Sequence, residues 1–388
     1  MDAASSTSTA MDWQVHGTRI AALGGTTMHW GGWSLRLKPE DFRLFSRTGT
    51  GGDWLVDYDT LEPYYCQAEE FMAVGGEDPW VHRSRPLPMP SYPVLAADVE
   101  FRAAFDALGV PHGKMPLARY RQCMTTGTCR YCPLGARFNA QYVIEDIEAA
   151  NPPNFHLRTG AAVTRLLLDG HRRVSGAEYL DRTTMKLRQV EAETVVVCAG
   201  AYESPKLLMA SRGPGHSAGI GNNHDLLGRY LVSHSFLSVT GVSRSNPDKL
   251  TTEFGFPTFM SREYDDESRQ STGKIFMFRN ESTPGQKWER LMQQGMSRAE
   301  IDVLATGPRT MGLSAFIEEA GSYFNRVEIA PGAPDAFLRA PMRITYNRTR
   351  DFEKNANRRL DDMKKVFSAM PAYPTVTTSI EGAAGLPK

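Results

Sequence analysis

Apolar positions in this chain recur at helical spacing in its first part, alternate through its middle, and return to helical spacing near its end. Leu61, Tyr64, Tyr65, Ala68, Phe71 and Met72 mark one helix, with Asp59 or Thr60 as its cap, Pro63 in its first turn and Gly75-Gly76 as its stop. Ala96 to Leu108 reads as a second helix ended by Gly109, and Asn139 to Ala150 as a short amphipathic one closed by Pro152-Pro153. Strands are expected at His156–Thr159, Ala162–Leu168, Val174–Leu180 and Met185–Val190, with Asp169-Gly170 as a turn. Thr194 to Cys198 is continuously apolar, the pattern of a strand buried on both faces of a parallel sheet. Ala199 to Ser211 then supplies a glycine turn, Ser204 as a cap, Pro205 at a first helical position and an apolar helix. The last strong pattern is a helix over Asp351–Met370, whose apolar face is Phe352, Ala356, Leu360, Met363, Phe367 and Met370. Weaker helical signals lie at Gln286–Met292 and Ser297–Leu304. Pro39 opens a turn within Leu35–Arg47, Thr48–Gly52 is a loop, and residues 77–94 are a proline-rich surface excursion.

A length of 388 residues allows two or three domains, and 41% hydrophobic with 23% charged residues is ordinary for a globular chain. Lys plus Arg and Asp plus Glu both number 44, so no net field points to nucleic acid or an acidic membrane surface. No apolar run is long enough for a membrane span, and the Ser/Thr/Ala-rich start reads as a polar tail rather than a secretory signal. Five cysteines stand at 66, 123, 129, 132 and 198, a distribution unlike a disulfide framework. Cys66 and Cys198 read as small core residues.

Candidate chemistry gathers at three places. Ala22 to Trp33 packs Gly24, Gly25, Gly31 and Gly32 with Thr26, Thr27, His29 and two tryptophans, which allows main-chain amides to approach a flat ligand closely. A glycine turn beside a tryptophan core explains the same residues. Cys123, Cys129 and Cys132, followed by Pro133, have a spacing that lets three thiols converge on a metal or iron–sulfur cluster, although no fourth ligand is near; reduced thiols packed under the loop are the alternative. Third, the strand, glycine turn and helix around Ala199, Gly200 and Ala201 form a ligand-facing corner of an α/β sheet. Two further motifs fail on context. Gly213 to Ala218 fits a dinucleotide fingerprint but follows a helix. Gly215-His-Ser-Ala-Gly219 fits a serine hydrolase elbow, yet the last histidine, His234, lies only 17 residues beyond Ser217.

Together these stretches resemble the glucose-methanol-choline (GMC) flavoprotein oxidoreductases, in particular the bacterial sugar, gluconate and choline-dehydrogenase-like branch. The likeness is carried by Leu23–Gly32, by Asp53-Trp54 with the Tyr58–Tyr65 helix, by Cys129–Ala136, Val195–Ser211 and Leu227–His234, and by Phe324–Ile329 and Met342–Tyr346 as late strands of a substrate domain. The resemblance implies FAD as cofactor and oxidation of CH–OH groups of an alcohol or sugar by hydride transfer to the flavin. It places Gly24, Gly25, Thr26, Thr27, His29, Trp30, Gly31 and Gly32 around the isoalloxazine and pyrophosphate, Val163 at the adenine, and Ala199, Gly200 and Ala201 beside the cofactor. In relatives with a Thr-His-Trp-like segment the histidine can be a covalent flavin link; here the tripeptide is Met28-His29-Trp30. Some relatives carry a three-cysteine iron–sulfur cluster where Cys123, Cys129 and Cys132 lie.

The expected fold is α/β with α+β character: a polar tail over 1–11 expected to be disordered, an incomplete Rossmann-like FAD-binding domain over 12–235, a substrate domain with an antiparallel sheet over 236–350, and a closing helix and tail over 351–388. The family's strand–GxGxxG–helix unit is not seen before Trp13, and no histidine after His234 can act as the family's base, so no catalytic residue is assigned and this stretch of chain alone is expected to be inactive. The competing expectations are a non-catalytic, partner-binding remnant, an iron–sulfur electron carrier, and the serine hydrolase. Expected partners are a small alcohol or sugar and an electron-accepting subunit, with no nucleic acid and no membrane span.

Overall fold

The helical period near the end of the chain is realised as a helix over Phe352–Ser368, in which Phe352, Ala356, Leu360, Met363 and Phe367 are buried, with Met370 just beyond its end. The computed structural model describes residues 20–49, 51–92, 96–121, 123, 134–243, 258–263, 273–280, 292–293, 295–299, 309–319, 321–348, 352–370 and 376–381. Most of each expected helix, at Gln286–Met292 and at Ser297–Leu304, lies outside the described residues. The described helices are α1 (Leu44–Thr48), α2 (Tyr58–Met72), α3 (Ala96–Ala107), α4 (Ala140–Ala150), α5 (Gly200–Ala210) and α6 (Phe352–Ser368).

The strands are β1 (Val74–Gly75), β2 (Gly113–Lys114), β3 (Leu117–Ala118), β4 (Ala161–Leu168), β5 (Val174–Asp181), β6 (Lys186–Glu191), β7 (His234–Ser243), β8 (Phe259–Ser261), β9 (Gly273–Asn280), β10 (Arg309–Glu318), β11 (Arg326–Ile329), β12 (Met342–Thr345) and β13 (Val376–Glu381). They belong to two compact units. A sheet unit comprises Gly24–Tyr142, Ser233–Ala320 and Arg350–Lys388; a meander unit comprises Met1–Leu23, Val143–Val232 and Gly321–Thr349.

The sheet unit is organised by a six-stranded antiparallel sheet in the order β13-β7-β10-β9-β8-β2. Strand alternation sends Leu237 and Val239 of β7 and Leu313, Ala315 and Ile317 of β10 to one face, where they pack against Phe101, Ala104 and Phe105 of α3 and the stripe of α6. On the other face Met260 and Phe316 meet Trp33, Leu35, Trp80, Met115 and Leu117, with the Trp33 and Phe316 rings edge to face at 5.5 Å. Buried serines Ser238 and Ser314, opposite one another across β7 and β10, bring their hydroxyls to 3.2 Å.

Helix α2 departs from the face its apolar residues predict. Tyr64 and Phe71 are exposed, and the buried line is Tyr58, Glu62, Cys66 and Glu69. Two glutamates can be buried there because Arg36, itself 1% exposed, lies among them. Its Nε and Nη2 donate to the two oxygens of Glu69 at 2.8 and 2.7 Å, and Nη1 donates to Glu62 and to Tyr58 Oη, each at 3.0 Å. Arg83 donates to Glu69 at 3.1 Å, and Ser84 donates to Glu62 through both its hydroxyl and its amide. These bonds, with Val81 packed against Phe42 and Tyr58, anchor part of the proline-rich excursion that sequence alone places on the surface. The cap of α2 is Asp57 rather than Asp59 or Thr60, since Asp57 Oδ1 accepts from the Thr60 amide at 2.8 Å.

Hydrogen bonds from Ser84, then from Cys66 and Arg36, hold the Glu62 carboxyl well below the usual carboxylate range. Burial opposes the charge of Arg36, but its bonds to Glu69, Tyr58 and Glu62 outweigh that and raise its pKa. A carboxylate whose pKa is depressed by folding adds stability that is complete above about pH 5 and is lost as pH falls toward the folded value. Urea midpoints followed from neutral pH into acid should therefore fall less steeply for Glu62→Gln than for the unaltered chain, from a lower starting value. Parallel acid limbs would contradict the linkage.

The meander unit follows the middle-chain alternation. Strands β4, β5 and β6 pair antiparallel, with a bulge between Val163 and Arg165, and Asp169 Oδ1 closes the β4–β5 turn by accepting from the amides of His171 and Arg173. Strands β11 and β12 form their own two-stranded sheet in this unit rather than joining the six-stranded one. Four expectations are corrected here. His156–Thr159 forms no strand. Thr194–Cys198 is neither a strand nor buried: Val196 is 78% exposed, and no described strand pairs with the segment. An apolar run has the propensity for a strand, but only a neighbouring ladder makes it one. Cys198 is accordingly exposed rather than a core residue. Finally, α5 begins at Gly200 after Ala199, which supplies no side-chain cap, and Pro205 sits inside the helix, so neither Ser204 nor Pro205 marks its start. A proline inside a helix forfeits one backbone bond without always ending it.

Candidate functional site

The glycine-rich stretch lies in the sheet unit, where Gly25–Met28 form a single 3₁₀ turn, and the amides of His29 and Trp30 both donate to Thr26 O, at 3.1 and 3.2 Å. Three of its residues are tied to the segment that leads into α4. The Ala140 amide donates to Thr27 Oγ1 at 3.1 Å, Arg137 Nη2 to Met28 O at 2.6 Å, and Trp30 Nε1 to Phe138 O at 2.8 Å. Thr27 Oγ1 in turn donates to Gly24 O, and Asn139 Oδ1, 3.4 Å from the Thr27 hydroxyl, accepts the Gln141 amide at 2.9 Å.

The glycines divide by what surrounds them. A Cβ at Gly24 would stand 2.7 Å from Asn139 Oδ1 and 2.8 Å from the Gln141 amide, so packing against the start of α4 excludes any side chain. Gly31 and Gly32 are crowded in the same way by the Trp33 ring and by Arg119 Nη1. Gly25 differs. It holds φ +53 with no atom within 4 Å of where a Cβ would be, a left-handed backbone facing open space. Thr26 and His29 are exposed, whereas Thr27 and Trp30 spend their polar atoms inside the unit. The two readings of this stretch thus apply to different residues. Gly24, Thr27, Trp30, Gly31 and Gly32 build a packed turn, and Gly25, Thr26 and His29 are what that turn displays.

In the meander unit, Ala199, Gly200 and Ala201 are exposed at the start of α5, and Gly200 has φ +82 with nothing within 4 Å of its Cβ position. Val163, beside the β4 bulge, is exposed as well. Cys123 is partly exposed, while Cys129 and Cys132 lie outside the described residues. Among the described residues no three His, Cys, Asp or Glu side chains converge as metal ligands, and no helix is long and apolar enough to cross a membrane. Gly215–Gly219 lies in turns that follow α5, without the strand–turn–helix context of a nucleophile elbow.

Sequence reasoning missed the residues that hold the glycine stretch, Arg137 to Ala140. One signal was present: Asn139 just before an amphipathic run marks a cap whose side chain must face neighbouring backbone. The Arg36 network had a signal too, since Glu62 and Glu69 are seven apart and share a helix face.

The GMC oxidoreductase family model matches residues 3–235. Fructose dehydrogenase large subunit of Gluconobacter japonicus is 35% identical over 231 residues, which is 55% of this chain and 41% of that protein. The 6'''-hydroxyparomomycin C oxidase of Streptomyces lividus is 30% identical over 336 residues, 81% of this chain and 61% of that protein. This chain therefore spans less than two thirds of the length of either relative. Among solved structures, formate oxidase of Aspergillus oryzae, determined in connection with its FAD modification, superposes with a TM-score of 0.62 at 14% identity, over 93% of this chain and 70% of that one. Neither the described residues nor the names of these relatives support an iron–sulfur cluster at Cys123, Cys129 and Cys132. With the matched region covering more than half of its residues, the chain belongs to the GMC oxidoreductase family, whose members bind FAD.

Proposed function

We propose that this chain binds FAD and serves an oxidoreductase that removes hydride from CH–OH groups of alcohols or sugars. The observation that carries the reading lies within the sheet unit: packed neighbours hold the turn so that Gly25, Thr26 and His29 are displayed, with no atom within 4 Å of the Gly25 Cβ position. The left-handed backbone at Gly25, φ +53, itself calls for glycine, and the open space beside it leaves the main chain accessible to a ligand. In the sheet unit Gly25, Thr26 and His29 would face the cofactor, offering main-chain amides, a hydroxyl and an imidazole. In the meander unit the amides of Ala199, Gly200 and Ala201 open α5 with the positive end of its dipole, which suits an anionic group, and Val163 would contact the adenine by main chain. FAD, when bound, supplies the hydride acceptor. No residue is assigned as general base.

The names of the relatives, a fructose dehydrogenase large subunit and a 6'''-hydroxyparomomycin C oxidase, support a sugar-like substrate. The designation large subunit supports a companion subunit, which in this proposal would accept the electrons. The test is anaerobic addition of a panel of sugars and alcohols to the flavin-loaded protein. Bleaching of the oxidised flavin bands by a member of the panel is expected, and a flavin that no CH–OH donor reduces would contradict the assigned reaction.

A further inference from the structure

We infer that Arg137, Phe138, Asn139 and Ala140 are positioning residues for the glycine stretch, a brace that fixes Thr27, Met28 and Trp30 so that Gly25, Thr26 and His29 are displayed in one shape. What is displayed to rests on the FAD reading above; the brace itself does not. Four consecutive residues each contribute a different group: the Arg137 guanidinium takes Met28 O, the Phe138 carbonyl takes the Trp30 indole, the Asn139 carboxamide lies against Thr27 and Gly24, and the Ala140 amide takes the Thr27 hydroxyl. The contacts fall on residues 24, 27, 28 and 30 of the stretch and leave out the exposed His29.

A single 3₁₀ turn preceded by a left-handed glycine has little regular hydrogen bonding of its own. Without outside partners its backbone would sample many conformations, and any ligand would have to meet the ordering cost on binding. The brace meets that cost during folding, because Asn139 Oδ1 also accepts the Gln141 amide and so ties the turn to the start of an 11-residue helix. The fit is close on both sides: the missing Cβ of Gly24 is the space that Asn139 Oδ1 and the Gln141 amide occupy.

The test uses the 388-residue chain with Arg137→Met, Asn139→Ala and the conservative Arg137→Lys, read by amide hydrogen exchange and by titration with FAD. Exchange across residues 24–32 should rise about tenfold in Arg137→Met and Asn139→Ala while β7 and β10 keep their protection, and the FAD dissociation constant should rise by about the same factor. Arg137→Lys, which keeps a donor, should recover part of both effects. If Asn139→Ala does not fold, Thr27→Val removes the same contact from the other side. Unchanged exchange over residues 24–32 in the folded variants overturns the brace whether or not FAD binds. Raised exchange in a protein that takes up no FAD in any form supports the brace and counts against the FAD reading alone.

Discussion

Replacing Arg36 with alanine is expected to lower the stability of the sheet unit by about 3–5 kcal/mol, the range for removing one partner of a buried ion pair. The loss arises less from the missing attraction than from what is left behind. Glu62 and Glu69 stay buried on α2, with Arg83 and Ser84 unable to supply the donors that Arg36 gave to both. Tyr58 and Cys66 lose donors from Arg36 as well. Two comparisons separate this account from simple loss of bulk. Arg36→Lys keeps the charge but cannot span both Glu69 oxygens, so it should remain clearly destabilised. The triple variant Arg36→Met, Glu62→Gln, Glu69→Gln removes the buried charges together and should be more stable than Arg36→Ala alone. Chemical denaturation followed by tyrosine and tryptophan fluorescence measures all three, and a triple variant weaker than Arg36→Ala would contradict the uncompensated-charge explanation.

Phe367→Ala is the second large effect, again about 3–5 kcal/mol, from lost transfer energy and the cavity left behind. Phe367 is fully buried where α6 crosses the helix-covered face of the six-stranded sheet, and its ring meets Phe101 of α3 edge to face at 5.7 Å. The residue therefore joins two helices and a sheet that are far apart in sequence, so little local rearrangement can fill the space. Phe45→Ala provides the contrast, because Phe45 is more than half exposed and its removal should change stability by no more than about 0.5 kcal/mol. Similar denaturation midpoints for the two variants would show that the α6 interface is not the main core of the unit.

These cases also show where sequence periodicity is informative. The stripe of α6 was legible because one face of a helix against a sheet needs only apolar residues at the right spacing, and β4 and β5 were legible because Asp169-Gly170 marks their turn. α2 was legible as a helix but not in orientation, since its buried face includes Glu62 and Glu69 and depends on Arg36, which precedes Glu62 by 26 residues. Thr194–Cys198 failed for the reason that strands are relational, a run of valines becoming a strand only beside another. At the candidate site, clustered glycines announced an unusual backbone. Spacing could not say that Gly24 makes room for Asn139 while Gly25 faces open space, because that distinction belongs to residues more than a hundred positions later.

Equilibrium titration of the purified chain with FAD tests most directly whether the turn that displays Gly25, Thr26 and His29 receives a flavin. The account predicts saturable, equimolar quenching of flavin fluorescence with a shifted visible spectrum, weakened by His29→Ala, which removes an exposed side chain, while far-ultraviolet circular dichroism stays unchanged. A folded protein whose addition leaves the fluorescence and spectrum of FAD as they are in buffer would contradict it.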